Sequence, residues 1–112
     1  MDCIFNQVDT LYAHGGRYFV LMNVVPLHLS AEYANASFGG VGPNQYWGDK
    51  PSNLTAISER MRLEVDLVNA LYSYRTPYEL LIANRFPGAN FAVYDTYQLV
   101  SAPCLPFFFS EV

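Results

Sequence analysis

The chain has 112 residues, which is the size of one domain, and 52% of them are hydrophobic. Charged residues make up 14%, against about 25% in an ordinary soluble domain, and the net charge is −4. The high aromatic content excludes an intrinsically disordered chain. Because the six basic residues form no cluster, no nucleic-acid partner is expected. No apolar run approaches the roughly 20 residues of a membrane span.

The first predicted elements are a helix over residues 2–14 and a strand over residues 18–25. Apolar residues recur at helical spacing in the first segment, and His14-Gly15-Gly16 ends it because glycine adopts the left-handed conformation there. The second segment is apolar except for Asn23, which is typical of a strand buried on both faces of a parallel sheet.

Residues 26–51 form a long loop that contains four aromatic residues. Loops longer than about 12–15 residues are commonly functional or disordered, and the aromatic side chains argue against disorder. Two interpretations stay open. Either Tyr46 and Trp47 form a surface that stacks against sugar rings, or the loop packs on its own side chains. The glycines at 39, 40 and 42 do not follow a strand, so we interpret them as loop flexibility.

A long helix follows, with Ser52 or Asn53 as its predicted N-cap. Its apolar residues recur at spacings of three and four, and an i,i+4 ion pair is expected between Arg60 and Glu64. Pro77 interrupts the pattern and starts a second helical segment over residues 78–83.

The remaining elements are a short strand over residues 91–94 and a third helix. Asp95 either caps that helix or orients a histidine. The order of elements predicts an α/β fold with parallel strands. Two strands make only a marginal sheet, so we expect an incomplete one and a chain that aggregates when isolated.

The C-terminal residues 98–112 form a divergent apolar tail with two prolines and three consecutive phenylalanines. Their pattern has neither helical nor strand periodicity. Three interpretations remain open: a strand, an exposed adhesive end, or sequence foreign to the fold.

Candidate site residues follow the strands, because open α/β sheets bind ligands beyond the carboxyl ends of their strands. His28 is either a catalytic base or a loop histidine that bonds locally. The sequence has no phosphate loop and no dinucleotide-binding turn. Cys3 and Cys104 follow no metal-binding spacing, so neither a metal nor another cofactor is expected.

Two N-glycosylation sequons begin at Asn35 and Asn53, and each is either used or a chance match. The N-terminal residues do not have the pattern of a secretory signal peptide. Localisation of this chain is therefore open.

Residues 11–27 (LYAHGGRYFVLMNVVPL) resemble a segment of GDSL-type (SGNH) ester hydrolases. Three further segments are similar to the fungal branch of that family, which includes carbohydrate acetylesterases and lipase-like members: residues 42–47 (GPNQYW), 53–55 (NLT) and 74–79 (YRTPYE). The resemblance covers about residues 3–97 and implies a flavodoxin-like three-layer α/β/α fold.

The resemblance also implies an extracellular full-length enzyme that cleaves small acyl esters or acetylated carbohydrates. In the family a serine in a Gly-Asp-Ser block attacks the ester carbonyl, amide donors hold the oxyanion, and an Asp-x-x-His block supplies the base. The chain contains neither block. Residues 1–97 are therefore interpreted as the middle of an incomplete hydrolase domain, a truncated fragment that is inactive by itself.

No catalytic residue can be carried over from the family. Asn23, Pro26, Leu27 and His28 are predicted to border the acyl pocket. The alternative function is a non-catalytic α/β module that binds carbohydrate through Tyr46 and Trp47.

Overall fold

The computed structural model describes residues 1–102, and the structural statements below concern this part of the chain. Its elements are listed in chain order: α1 (Asp2–Ala13), β1 (Tyr18–Met22), α2 (Thr55–Pro77), β2 (Asn90–Tyr94) and α3 (Thr96–Ser101). The strands pair in parallel, with Tyr18 opposite Asn90 and Met22 opposite Tyr94. The predicted α/β class with parallel strands is thereby confirmed.

The predicted boundary between residues 97 and 98 falls inside α3, whose last residues belong to the predicted tail. Residues 103–112, with Cys104 and the three phenylalanines, lie outside the described residues. The division of the chain at residue 98 stays a prediction.

The hydrophobic core lies between one face of the sheet and helices α1 and α2. Phe5 and Val8 of α1, Leu21 of β1 and Tyr72 of α2 are buried together with Phe86. The ring centroids of Phe19 and Phe91 lie 4.9 Å apart on neighbouring strands. These contacts come from alternate strand residues, because successive side chains of a strand point to opposite faces.

The other face of the sheet is exposed. Tyr18, Val20 and Met22 are 84%, 68% and 63% exposed, and the neighbouring Ala92 and Tyr94 of β2 are exposed as well. The expectation of a strand buried on both faces was therefore wrong for this part of the chain. Both helices that contribute to the core pack on the Leu21 side, so the continuous apolar run is covered on one side only.

Strand β1 is also shorter than predicted, and side-chain hydrogen bonds explain its end. The ladder continues to the amide of Asn23, which donates to the carbonyl of Tyr94 at 3.2 Å. The next peptide group is bound by Asn69 of α2 instead of a strand. The side-chain oxygen of Asn69 accepts from the amide of Val24 at 2.8 Å, and its Nδ2 donates to the carbonyl of Val24 at 2.9 Å.

Helix α2 begins one or two residues later than the cap prediction, Ser52 or Asn53, placed it. Asn53 still accepts a hydrogen bond from the amide of Thr55 at 3.0 Å, but Leu54 is the residue directly before the helix. The side chain of Leu54 is buried, and its amide donates to Oδ1 of Asn35 at 2.6 Å. Burial of Leu54 and the bond from Asn35 hold this residue outside the helix.

The α-helical pattern changes at Pro77, as predicted, and a second helical segment begins directly after it, although the two segments are continuous. α2 runs through Pro77 and continues as a π-helical turn over Tyr78–Ile82, in which the amide of Ala83 donates to the carbonyl of Tyr78 at 2.9 Å. Proline lacks an amide hydrogen, so the helix widens at this point instead of ending.

A charged network ties this π-helical turn to α1. Glu79 is only 4% exposed and accepts from Nε of Arg75 at 2.6 Å and from Nη1 of Arg85 at 3.4 Å. Arg75 also pairs with Asp2, and Arg85 with Asp9. The buried carboxylate is thus neutralised, as burial of a charge requires.

The long loop contains two short 3₁₀ turns, Leu27–Leu29 and Ala36–Phe38. Its glycines are not simply flexible. Gly39 has φ of +80° at the end of the second turn, and a Cβ on Gly40 would lie 1.8 Å from the carbonyl oxygen of Ala34. Gly40 is therefore required by the close approach of two backbone segments.

Candidate functional site

Asn23 stands at the centre of a polar cluster at the carboxyl ends of both strands. Its Nδ2 donates to Oδ1 of Asp95 at 2.8 Å, and its Oδ1 accepts from the hydroxyl of Thr96 at 2.9 Å and from the amide of Tyr97 at 3.1 Å. One side chain therefore joins β1 to the start of α3.

Asp95 caps α3, which settles the choice that the sequence left open. Its Oδ1 accepts from the amide of Gln98 at 2.9 Å. This backbone hydrogen bond, together with the one from Asn23, lowers the pKa of the Asp95 carboxyl below its usual value, because both favour the ionised form. No histidine is hydrogen-bonded to Asp95 within residues 1–102.

A polar cavity of about 250 Å³ opens beside this cluster. Asn23, Asp66, Asn69, Ser73 and Asp95 contribute to its lining. Asp66 is paired with Arg62 at 2.8 Å, and the hydroxyl of Ser73 donates to the carbonyl of Asn69 at 3.3 Å. The cavity offers amide and carboxylate groups for hydrogen bonding, and its serine is engaged with the helix backbone.

The other predicted pocket residues do not line the cavity beside Asn23. Pro26 is buried, Leu27 is 37% exposed, and His28 is half-buried in the first 3₁₀ turn. His28 lines a second cavity, of about 370 Å³, with Ser58 and Glu59 of α2. The structure thus brings Asn23 together with Asp95, but it does not place all four residues around one cavity.

The ring of His28 has an unusual environment. Its Nδ1 is buried and has no hydrogen-bond partner within the described residues, and the ring lies 6.2 Å from that of Tyr97. The neighbouring hydroxyl of Ser58 donates to the backbone carbonyl of His28 at 3.2 Å, not to the ring. The other histidine, His14, bonds the carbonyl of Thr10. A serine nucleophile requires a hydrogen bond from its hydroxyl to a histidine ring. Within residues 1–102, no serine hydroxyl forms such a bond.

A groove of about 580 Å³ separates the long loop from the first half of α2. Tyr33, Tyr46 and Trp47 line the loop side, and Arg60, Met61 and Glu64 line the helix side. The structure therefore places Tyr46 and Trp47, both singled out from the sequence, on the same concave surface.

The predicted ion pair between Arg60 and Glu64 is wrong. Neither side chain forms a salt bridge within the described residues, whereas Arg62 on the same helix pairs with Glu59 at 2.6 Å and with Asp66. The hydrogen bond from Arg62 lowers the pKa of Glu59. Arg60 and Glu64 instead present unpaired charges to the groove.

The two sequon asparagines differ in accessibility. Asn53 is exposed at the start of α2, while Asn35 is half-buried and its Oδ1 accepts from Leu54. Among residues 1–102, no cluster of three or more histidine, cysteine or carboxylate side chains is arranged to hold a metal ion. No helix in this part of the chain combines the length and apolarity that a membrane crossing demands.

The chain was compared with known proteins. No protein-family model matches the chain. Over 101 residues, which are 89% of the chain, it is 39% identical to a protein of Hypocrea jecorina. That relative is named acetylesterase. The chain spans 29% of the length of this acetylesterase.

Sequence reasoning missed two parts of the site and one buried network of the fold. Asn69 was not singled out because an asparagine inside a helix looks like an ordinary polar residue. Arg60 and Glu64 were predicted to form an ion pair with each other, so their position on the groove was not considered. The spacing of four between Arg75 and Glu79 was a usable signal for the buried network.

Proposed function

We propose that this chain is a portion of a GDSL-type (SGNH) ester hydrolase that acts on acetyl or short acyl esters. The observation that carries the proposal is the 39% identity to an acetylesterase over 101 residues. The parallel strand pair and the matching segments, above all residues 11–27, support it further. Full-length relatives of this kind are extracellular in this proposal.

The proposed mechanism is serine-based acyl transfer. A serine attacks the ester carbonyl while a histidine takes its proton, and amide donors stabilise the oxyanion. The C–O bond to the alcohol breaks, and the alcohol leaves with that proton. Water then attacks the acyl-serine and releases the carboxylic acid. The sequence contains neither the Gly-Asp-Ser nor the Asp-x-x-His block. In this proposal the longer enzyme supplies both blocks, and Asn23, Pro26, Leu27 and His28 border the acyl pocket.

The first expected outcome concerns the chain alone. The purified 112-residue chain should not hydrolyse 4-nitrophenyl acetate above the rate in buffer, because it lacks the nucleophile block. Activity that follows the chain through every purification step would show that a nucleophile has been overlooked.

A chimera tests the family assignment directly. The matching segment of the Hypocrea jecorina acetylesterase is replaced by the corresponding residues of this chain. If the assignment is correct, the chimera melts cooperatively and hydrolyses 4-nitrophenyl acetate within about tenfold of the parent rate, which corresponds to about 1.4 kcal/mol in barrier height. A control chimera carries the same residues in scrambled order and should not fold. A chimera that folds cooperatively but shows no hydrolysis would contradict the proposal.

A further inference from the structure

Helix α2 is apolar on two opposite sides, and only one of them is covered within residues 1–102. The buried side carries Val65, Tyr72 and Thr76. The opposite side carries a row of exposed apolar residues, here called the outer stripe, which continues into the π-helical turn: Leu63, Leu67, Leu71, Tyr74, Tyr78 and Leu81. Spacings of three and four residues place them on one side of the helix. We propose that the outer stripe binds the outer stripe of a second copy of this chain, so that two α2 helices pack antiparallel in a symmetric dimer.

The outer stripe is unusually apolar for a surface in contact with water. Leu67 is 65% exposed, Tyr74 is 78% exposed and Leu81 is 81% exposed. None of its six side chains is charged at neutral pH. A surface helix of a soluble domain normally has polar residues opposite its buried side, and a contiguous exposed apolar patch is typical of an interaction site.

The position of the outer stripe in the fold indicates a second molecule as its cover. The buried side of α2 faces the sheet, where Tyr72 shares the core with Leu21. Asn69 on the same helix binds the peptide group of Val24. Helices of an α/β domain form a layer on the sheet, and their neighbours in that layer lie at their sides. The outer stripe points away from the sheet, so it lies on the outside of this layer.

The order of residues along the outer stripe fits a second copy of the same helix. A two-fold axis requires a surface that is complementary to itself. With the axis beside Leu71, Leu67 of one copy faces Tyr74 of the other. The same register places Leu63 opposite Tyr78. Each tyrosine ring therefore meets an aliphatic side chain, and no two tyrosines compete for the same space.

Charge at the border of the outer stripe favours the same pairing. Glu64 and Arg75 lie along one border, about three helical turns apart. Glu64 forms no salt bridge within the described residues, and the side chain of Arg75 is partly exposed. Antiparallel packing brings Glu64 of one copy beside Arg75 of the second copy. Opposite charges at the rim of an interface mainly set its orientation.

The size of the outer stripe suits a weak, specific dimer. From Leu63 to Leu81 it extends over about 27 Å of helix. Burial of its six side chains would remove on the order of 600 Å² per copy from water, against about 800 Å² per partner in a stable interface. We therefore expect a Kd in the micromolar range.

Sedimentation velocity tests the dimer in a chain whose sheet face has been made more polar. The full 112-residue chain carries Val20→Lys throughout, which weakens association through the sheet, and circular dichroism checks that each variant is folded. This background should form a concentration-dependent dimer. Leu67→Lys should raise the Kd at least tenfold, because it places a charge inside the apolar contact. Ser73→Lys is the matched control, since Ser73 is exposed on the same helix outside the stripe, and it should change the Kd less than about twofold.

Disulfide cross-linking tests the orientation of the two helices. Both natural cysteines, Cys3 and Cys104, are first replaced by serine. Leu71→Cys lies beside the two-fold axis and should then cross-link two copies under mild oxidation. Leu63→Cys is the control, because antiparallel packing separates the two copies of this residue by about 22 Å along the helix, which a disulfide cannot span. This measurement does not need Val20→Lys, so it holds even if that variant does not fold.

Three results would overturn the proposal. The first is a folded Val20→Lys chain that stays monomeric at millimolar concentration. The second is an equal change of the Kd by Leu67→Lys and Ser73→Lys. The third is cross-linking of Leu63→Cys as fast as that of Leu71→Cys. All three concern association of the chain, so they leave the proposed ester hydrolysis unaffected.

Discussion

Asn23 holds the ends of both strands and the start of α3 in one arrangement. All three of its side-chain bonds go to residues 95–97, and they lie about 70 positions away in the chain. An asparagine with this many partners fixes the geometry of the surrounding backbone. Its position beside the proposed acyl pocket would make that pocket sensitive to small changes at Asn23.

The ionisation of Asp95 should report on this arrangement. Asn23→Ala removes a hydrogen bond that favours the charged form, so the pKa of Asp95 should rise toward its ordinary value. An NMR titration of the Asp95 carboxyl carbon measures this change. An unchanged pKa would mean that the bond from Asn23 is not formed in solution.

The lowered pKa of Asp95 also determines how the free energy of unfolding changes with pH. Because the pKa of Asp95 is lower in the folded chain, the folded state binds fewer protons. Asp95 therefore contributes fully to the free energy of unfolding when the pH is above the pKa that its carboxyl has in the unfolded chain. This contribution is lost as the pH falls through the pKa of the carboxyl in the folded chain. Asp95→Asn should therefore reduce the acid sensitivity of unfolding. Asp49→Asn, at an exposed loop position, should leave it unchanged.

Thr76 carries a buried hydroxyl that has no hydrogen-bond partner within the described residues. Thr76→Val removes this unsatisfied group at nearly constant volume and should raise the free energy of unfolding by about 1 kcal/mol. Thr96→Val is the contrasting variant, because the hydroxyl of Thr96 donates to Asn23. It should lower the free energy of unfolding by about 1 kcal/mol, and urea denaturation compares the two. A loss of stability in both variants would show that the hydroxyl of Thr76 is bonded in solution.

At the scale of elements, the long loop depends on a glycine that permits a close backbone contact. Gly40→Ala would place a Cβ against the carbonyl of Ala34 and should lower the free energy of unfolding by about 1–3 kcal/mol. Gly42→Ala is the matched control, since nothing lies within 4 Å of the Cβ it would add. Urea denaturation followed by the fluorescence of Trp47 distinguishes them. Equal stability of the two variants would mean that the loop is free to adjust.

The sequence predicted the elements that rest on local patterns. The spacing of apolar residues located α1 and most of α2, and the apolar runs located both strands and their parallel pairing. Capping was one of the two roles expected for Asp95, and it could be expected because it acts within three residues. The structure places Tyr46 and Trp47 on one groove, and their role in stacking against sugar rings stays a prediction.

The errors arose where distant residues decide the local structure. β1 ends early because Asn69, from the middle of α2, binds the peptide group of Val24. α2 begins late because Asn35 holds the amide of Leu54. Exposure of the sheet face depends on which elements are present to cover it, and no local pattern carries that information.

At the scale of the whole molecule, the uncovered sheet face dominates the expected behaviour. Parallel sheets are normally covered on both faces, and an exposed apolar patch promotes association. The isolated chain should therefore self-associate in a concentration-dependent way, which sedimentation velocity measures. Val20→Lys should reduce this association, while Gln45→Lys adds the same charge on the loop and should not. A native chain that stays monomeric at high concentration would contradict this expectation.

The contact between Asn69 and Val24 has a consequence for hydrogen exchange. The amide of Val24 is protected by a side chain of α2 and not by a neighbouring strand. Its exchange with solvent therefore requires the side chain of Asn69 to move away, by rotation or by separation of α2 from the strand end, even though Val24 lies directly after β1 in the chain. The protection of this amide thus reports on the contact between α2 and the end of the strand, not on the pairing of the two strands.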